Sequence, residues 1–257
     1  MEFNIKINGN KKLERVFEMV KADKELQALW KCSNITAIDR SGLTDHGPVH
    51  IAIVANGALK LFRLLKDAGV KSSVEKDYGL SSDDAEVIIF LGAVMHDLGM
   101  SIHRTNHQEY SIPLAIPILN RLLEGVYSGE NKYIIRSEIL HAIMTHHSGY
   151  KPLTIEAGCV RVGDALDMAQ GRARIPFNAG KVDIHSVSAL SIDNVIIEKG
   201  KDRPVLIRVK MSNSAGIFQI DELLRNKLSN SGIESYVEVV AEVEEEKSIV
   251  KKHSLKL

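Results

Sequence analysis

The chain has 257 residues, enough for one large domain and a small appendage, and its 44% hydrophobic content can build a real core. Lysine plus arginine and aspartate plus glutamate both number 33, so no global field draws the molecule to nucleic acid or to an anionic membrane. Cys32 and Cys159 are too few and too far apart to suggest a disulfide framework or a thiolate zinc site, and the longest apolar run, 87–95, is too short to span a bilayer. With no secretory stretch at the amino terminus, a soluble cytoplasmic protein is expected.

From residue 11 to about 177 apolar residues recur at three- and four-residue intervals, which predicts helices over 11–22, 24–38, 47–67, 83–97, 109–126, 131–147 and 155–170. Trp30 reads as core. Thr44 or Asp45 can cap the third helix, and the i, i+4 spacing puts His46 and His50 on one face, where both could see one ion. The structural alternative is a helix-end histidine and a packed core histidine. Residues 71–82 are polar, and Asp83 with Glu86 predicts a capping box for the fourth helix.

That helix ends in His96-Asp97-Leu98-Gly99. Adjacent residues point in different directions on a helix, so this imidazole and carboxylate can share an ion only where the helix stops, and Gly99 offers the stop. The helix near 131–147 ends in His146-His147, which could splay across two ions or simply complement the helix carboxyl terminus. Asp164 and Asp167 sit at i and i+3 of the next helix, on a partly buried face where a carboxylate needs a metal or cation partner. Eight of the ten histidines fall between 46 and 147.

After Pro176 the texture changes. Stretches 187–197 and 205–211 are rich in β-branched residues, 217–228 is helix-like and 237–243 alternates, which predicts a small β-β-α-β unit with a frayed tail from 244. The organisation expected is a helical domain over 1–180 and a small α+β domain over 181–257, regulatory or dimerising, with the boundary near 178–186. The basic turn at 199–204 has no aromatic platform beside it, so nucleic acid is not expected, whereas the edges of so small a sheet suit a homodimer.

The ordered set His50, His96-Asp97 and Asp164 resembles the H…HD…D pattern of the HD-domain metal-dependent phosphohydrolases, in the local contexts Val54-Ala55, Leu98-Gly99 and Ala165-Leu166-Asp167. The resemblance covers about 40–175. It implies a mainly α core holding a divalent metal through His50, His96, Asp97 and Asp164. Binuclear branches such as the HD-GYP phosphodiesterases are similar to H…HD…H…HH…D, which implies His107, His146 and His147 as ligands of a second ion. Ile53 stands where a basic residue often follows the first histidine, and Tyr150 follows Ser148-Gly149 without the full GYP signature, so cyclic-dinucleotide specificity is not implied.

The implied activity is hydrolysis of a phosphate mono- or diester, a nucleotide or similar small molecule, by a metal-activated water. The donor set suits Mn, Fe, Co, Ni or Zn, with Mg admissible where substrate oxygens complete the shell. Beside Asp97, Arg104 is the preferred phosphate contact among Arg104, Arg161, Arg172, Arg174 and Lys151. His103 is a proton donor or an exposed loop histidine, and Asp167 either fixes a ligand imidazole or pairs with Arg172 or Lys151. His46 is a further ligand or an outer group. The other functional classes open to this ligand set are a diiron oxygenase of the HD type and a non-catalytic metal- or nucleotide-binding regulator.

Overall fold

The structure is a computed structural model that describes residues 3–147, 149–169, 188–243 and 252–255, the last four by their backbone alone. The expected domain boundary, together with Arg172 and Arg174, lies outside the described residues. Helices α1 (Lys11–Ala22), α2 (Lys24–Ile35), α3 (Pro48–Asp67), α4 (Ser73–Asp77), α5 (Ser82–Met95), α6 (His107–Glu124), α7 (Gly129–Thr145) and α8 (Ile155–Ala165) precede a four-stranded sheet. A π-helical turn, Thr36–Arg40, extends α2, and a 3₁₀ turn, Leu98–Ser101, follows α5.

The apolar run at the end of α5 has no polar face, and a helix of that kind is stable only when covered all round. Here α1, α3, α7 and α8 surround it, and every side chain from Val87 to Met95 is buried. Trp30 joins this core and donates its indole N–H to Val94 O at 2.8 Å. Among the described residues, α3 alone has the length and apolarity of a membrane span, yet half of that stretch is buried and the helix packs on α5 and α8 as a core element.

Several local expectations are revised. The cap of α5 is Ser81, paired with Asp84 in a capping box, because Glu86 is occupied by Arg63 and Asn10. Within the polar segment 71–82, Ser72 and Glu75 form a second capping box that starts α4, a helix the composition alone conceals. At α3 the N-cap is Gly47 and not Thr44 or Asp45, because Pro48 opens the helix, yet Asp45 serves its first turn from outside, accepting the N–H of Gly47 at 3.2 Å and of His50 at 3.0 Å. Helix α8 stops at Ala165, so Asp167 lies just beyond it.

In the carboxy-terminal unit, β1 (Ile192–Lys199) and β2 (Val205–Met211) form an antiparallel hairpin. A helical run, α9 (217–228), then crosses over so that β3 (Val237–Val243) lies parallel to β2, since parallel neighbours need a long connection. The tail departs from expectation: β4 (Lys252–Leu255) pairs antiparallel with β3 and extends the sheet beyond β-β-α-β. Alternate residues of β2, from Val205 to Met211, are buried, and β1 and β2 pack on α3. Arg203, in the basic turn, donates to the carbonyls of Glu234 and Val237, an intramolecular role.

The crossing of α3 and α8 sets the separation of His50 from Asp164, and Gly163 permits it. A Cβ on Gly163 would lie 2.9 Å from Ala58 Cβ and 3.1 Å from Val54 O. Gly163→Ala is expected to lower unfolding free energy by about 1–3 kcal/mol through overpacking. Urea denaturation measures this, and an unchanged midpoint would contradict the tight crossing.

Candidate metal centre

Three histidines stand at helix ends and use one ring nitrogen on the backbone there. The last carbonyls of a helix lack intrahelical partners. His96, just after α5, donates Nδ1–H to Ala93 O at 2.7 Å, and His146, just after α7, donates to Ile143 O at 2.6 Å. His107, the first residue of α6, donates to Arg104 O at 2.9 Å. His50, inside α3, is fixed by Asp167, whose Oδ2 accepts from Nδ1 at 2.6 Å.

A carbonyl or carboxylate can only accept, so each of these Nδ1 atoms carries a proton, and the ring in its neutral form presents a lone pair at Nε2. Those lone pairs converge. His50 Nε2 lies 3.3 Å from His96 Nε2, and His107 Nε2 lies 3.1 Å from His146 Nε2. Two lone pairs repel each other, so their approach suits a site that shares a cation. Two donors each about 2.1 Å from one ion stand about 3.0–3.4 Å apart at angles between right and tetrahedral, which fits both pairs.

Asp97 joins the two pairs. Its Oδ2 lies 3.2 Å from His96 Nε2 and 3.5 Å from His50 Nε2, while its Oδ1 lies 3.2 Å from His107 Nε2 and 3.6 Å from His146 Nε2. Asp164 Oδ1 adds a carboxylate to the first pair, 3.4 Å from His50 and 3.8 Å from His96. The groups able to hold an ion are thus His50, His96 and Asp97; His96, His146 and Asp164; and Asp97, His107 and His146. Burial would raise the pKa of Asp97; positive charge and N–H donation from His96, His107, His46 and His50 when they carry a second proton hold it well below the carboxylate range, and a cation coordinated by the neutral rings would take over that part. Burial likewise opposes ionisation of Asp164, which Lys227, His50 and His96 override. His146, buried beside His96 and His107, is pushed well below the usual histidine value and stays neutral.

Adjacent residues reach the same cluster because α5 ends between them. Asp97 has left helical geometry, and Leu98–Ser101 turns as a 3₁₀ segment. Gly99 contributes by closeness rather than by backbone freedom, since a Cβ there would lie 2.0 Å from His107 O. Ser111 Oγ accepts the Gly99 N–H at 2.8 Å and lies 2.7 Å from His96 O, tying the His-Asp turn to α6.

Other expected residues fall outside the cluster. His147 is half-buried at its rim, its ring 5.5 Å from that of His107, and its nitrogens are not in the converging groups. His103 is exposed and accepts the N–H of Thr105, and Arg104 is exposed with Nη1 3.4 Å from His107 Nδ1. His46 is buried, with Nε2 3.9 Å from Asp97 Oδ2. Asp167 faces His50, the first of its two expected roles. Arg161 is not a phosphate contact: it is buried and donates to the carbonyls of Thr145, His147, Tyr150, Asn226 and Lys227. Lys227, whose Nζ contacts Asp164 Oδ2, escaped sequence reasoning, since a lysine near the end of a distant amphipathic segment carries no local signal.

The HD domain family matches residues 50–169, which contain the whole donor cluster. The uncharacterized protein MJ1020 of Methanocaldococcus jannaschii is 46% identical over 232 residues, covering 90% of this chain and 89% of the relative. That span takes in most of the carboxy-terminal unit as well as the helical core. No solved structure matches. The chain belongs to the HD-domain family.

His147 generates a pH prediction. Burial, with His107, Lys227 and Arg104 nearby, lowers its pKa from 6.5 to about 4. Between those values the unfolded chain binds a proton that the folded protein does not, so stability falls as pH drops through this window. The melting temperature of metal-free protein is expected to fall between pH 7 and 4.5, and less steeply in His147→Gln. Parallel slopes would refute the assignment.

Proposed function

We propose that the protein is a cytoplasmic metal-dependent phosphohydrolase acting on a phosphate mono- or diester, a nucleotide or similar small molecule. The observation that carries this reading is Asp97, whose two oxygens each face a separate pair of imidazole lone pairs, the donor geometry for two neighbouring divalent ions. Membership of the HD-domain family supports it. A divalent ion bound there acidifies a water and polarises a phosphoryl oxygen.

The chain's own residues hold and orient. His50, His96, Asp97 and Asp164 form the first donor set, and Asp97, His107 and His146 the second. Asp167 keeps His50 in the tautomer that turns its Nε2 lone pair toward the cluster, as an outer carboxylate does. Arg104, exposed at the rim, offers a guanidinium to a phosphate. His147 is neutral above its pKa of about 4 and serves there as a hydrogen-bond partner, not as a proton source.

Protein loaded with Mn, Fe or Co is expected to hydrolyse p-nitrophenyl phosphate or its bis ester, with loss of turnover on chelation. Asp97→Ala is expected to reduce the rate at least about a hundredfold, more than the loss of an outer partner costs. Turnover that survives both chelation and Asp97→Ala would rule the proposal out.

A further inference from the structure

One face of α8 is occupied by the carboxy-terminal unit. Gly158, Arg161 and Asp164 recur every three residues and so lie along one side of the helix. Each meets the segment 226–231. A Cβ on Gly158 would stand 2.4 Å from Ser231 O, so that loop lies directly against the helix backbone. Arg161 donates Nε–H to Lys227 O at 3.0 Å and, through Nη1, holds Tyr150 O at 2.6 Å and His147 O at 3.2 Å. One buried guanidinium therefore clips the end of α9 to the turn that follows His146 and His147. At the third position Lys227 Nζ contacts Asp164 Oδ2, and this pair is largely shielded, with side-chain exposures of 17% and 11%.

We infer that the carboxy-terminal unit is an integral part of the metal centre, with Lys227 a positioning residue that holds Asp164 so that Oδ1 faces His50 and His96. The inference rests on the metal-centre reading but not on the choice of phosphate esters as substrates. A carboxylate has two equivalent oxygens and a free Cβ–Cγ rotor. The charge-assisted hydrogen bond from Lys227 to Oδ2 commits the other oxygen to the imidazole pair. Partners of this kind orient a ligand without touching the ion, and their loss typically weakens metal binding about 10–100-fold. The ammonium also repels a bound cation, an effect of opposite sign, so the direction of change in metal affinity separates a positioning role from a mere counter-charge.

The test uses the full chain and Mn²⁺ or Co²⁺ alone as the probe. Calorimetric titration and metal analysis are compared for wild type, Lys227→Met, Lys227→Arg and Arg225→Ala, with melting curves in chelator as a control for folding. Lys227→Met is expected to bind about tenfold more weakly. Lys227→Arg should recover part of the loss, and Arg225→Ala, which alters an exposed residue of the same helix, should bind as wild type does. Unchanged or tighter binding by a folded Lys227→Met protein overturns the inference while leaving the metal centre standing. A wild type that binds no divalent ion overturns both. If Lys227→Met unfolds, Lys227→Gln takes its place: weaker binding by the folded variant supports positioning and wild-type affinity overturns it.

Discussion

The centre depends on which nitrogen of each histidine is already taken. Four rings, His50, His96, His107 and His146, have Nδ1 bound to an acceptor that cannot itself donate. Their Nε2 lone pairs are therefore aimed, not merely near one another. Neutral imidazoles pointed at each other across 3.1 and 3.3 Å gain nothing from mutual contact. Two shielded carboxylates add negative charge beside those rings; Lys227 balances Asp164, and a cation at the cluster would balance Asp97 when the rings are neutral.

Helix ends do most of this aiming. A terminal carbonyl without an intrahelical partner accepts from the ring that follows it, so the α5 and α7 ends satisfy their backbone and orient a ligand with the same hydrogen bond. His-Asp adjacency makes sense on the same terms. Inside a continuous helix the pair would diverge, whereas the turn after Met95 lets both reach one cluster. The apolar run before it locks α5 in the core and makes the position of its end reproducible.

Much of this was legible in the sequence because it is local. Helix periodicity, the run at 87–95, the terminal placement of His96 and His146 and the H…HD…D order are properties of short segments, and the fold follows them closely. Failures arose where two acceptors or two helices compete at a distance. Glu86 is a plausible capping partner by spacing but is drawn away by Arg63 and Asn10. Gly99 reads as a helix stop, although its lack of a Cβ matters because α6 crosses there. Arg161 looks like a surface cation until the carbonyls around it are known, and Lys227 is separated from Asp164 by 63 residues. Between His146 and His147 no spacing rule chooses, since only the end of α7 decides which ring turns inward.

The two sides of the cluster differ in their surroundings, and under the proposed function that difference has a chemical meaning. On one side His50 and His96 face Oδ2 of Asp97 and Oδ1 of Asp164. On the other side Asp97, His107 and His146 converge next to the half-buried His147 and the exposed Arg104. The His147 imidazole and the solvent-facing Arg104 guanidinium thus share one flank. A phosphate entering there would meet that guanidinium beside an ion that Asp97, His107 and His146 would hold, while His50 and Asp164 are braced from behind, by Asp167 and Lys227 respectively, through contacts made by the atoms turned away from the cluster.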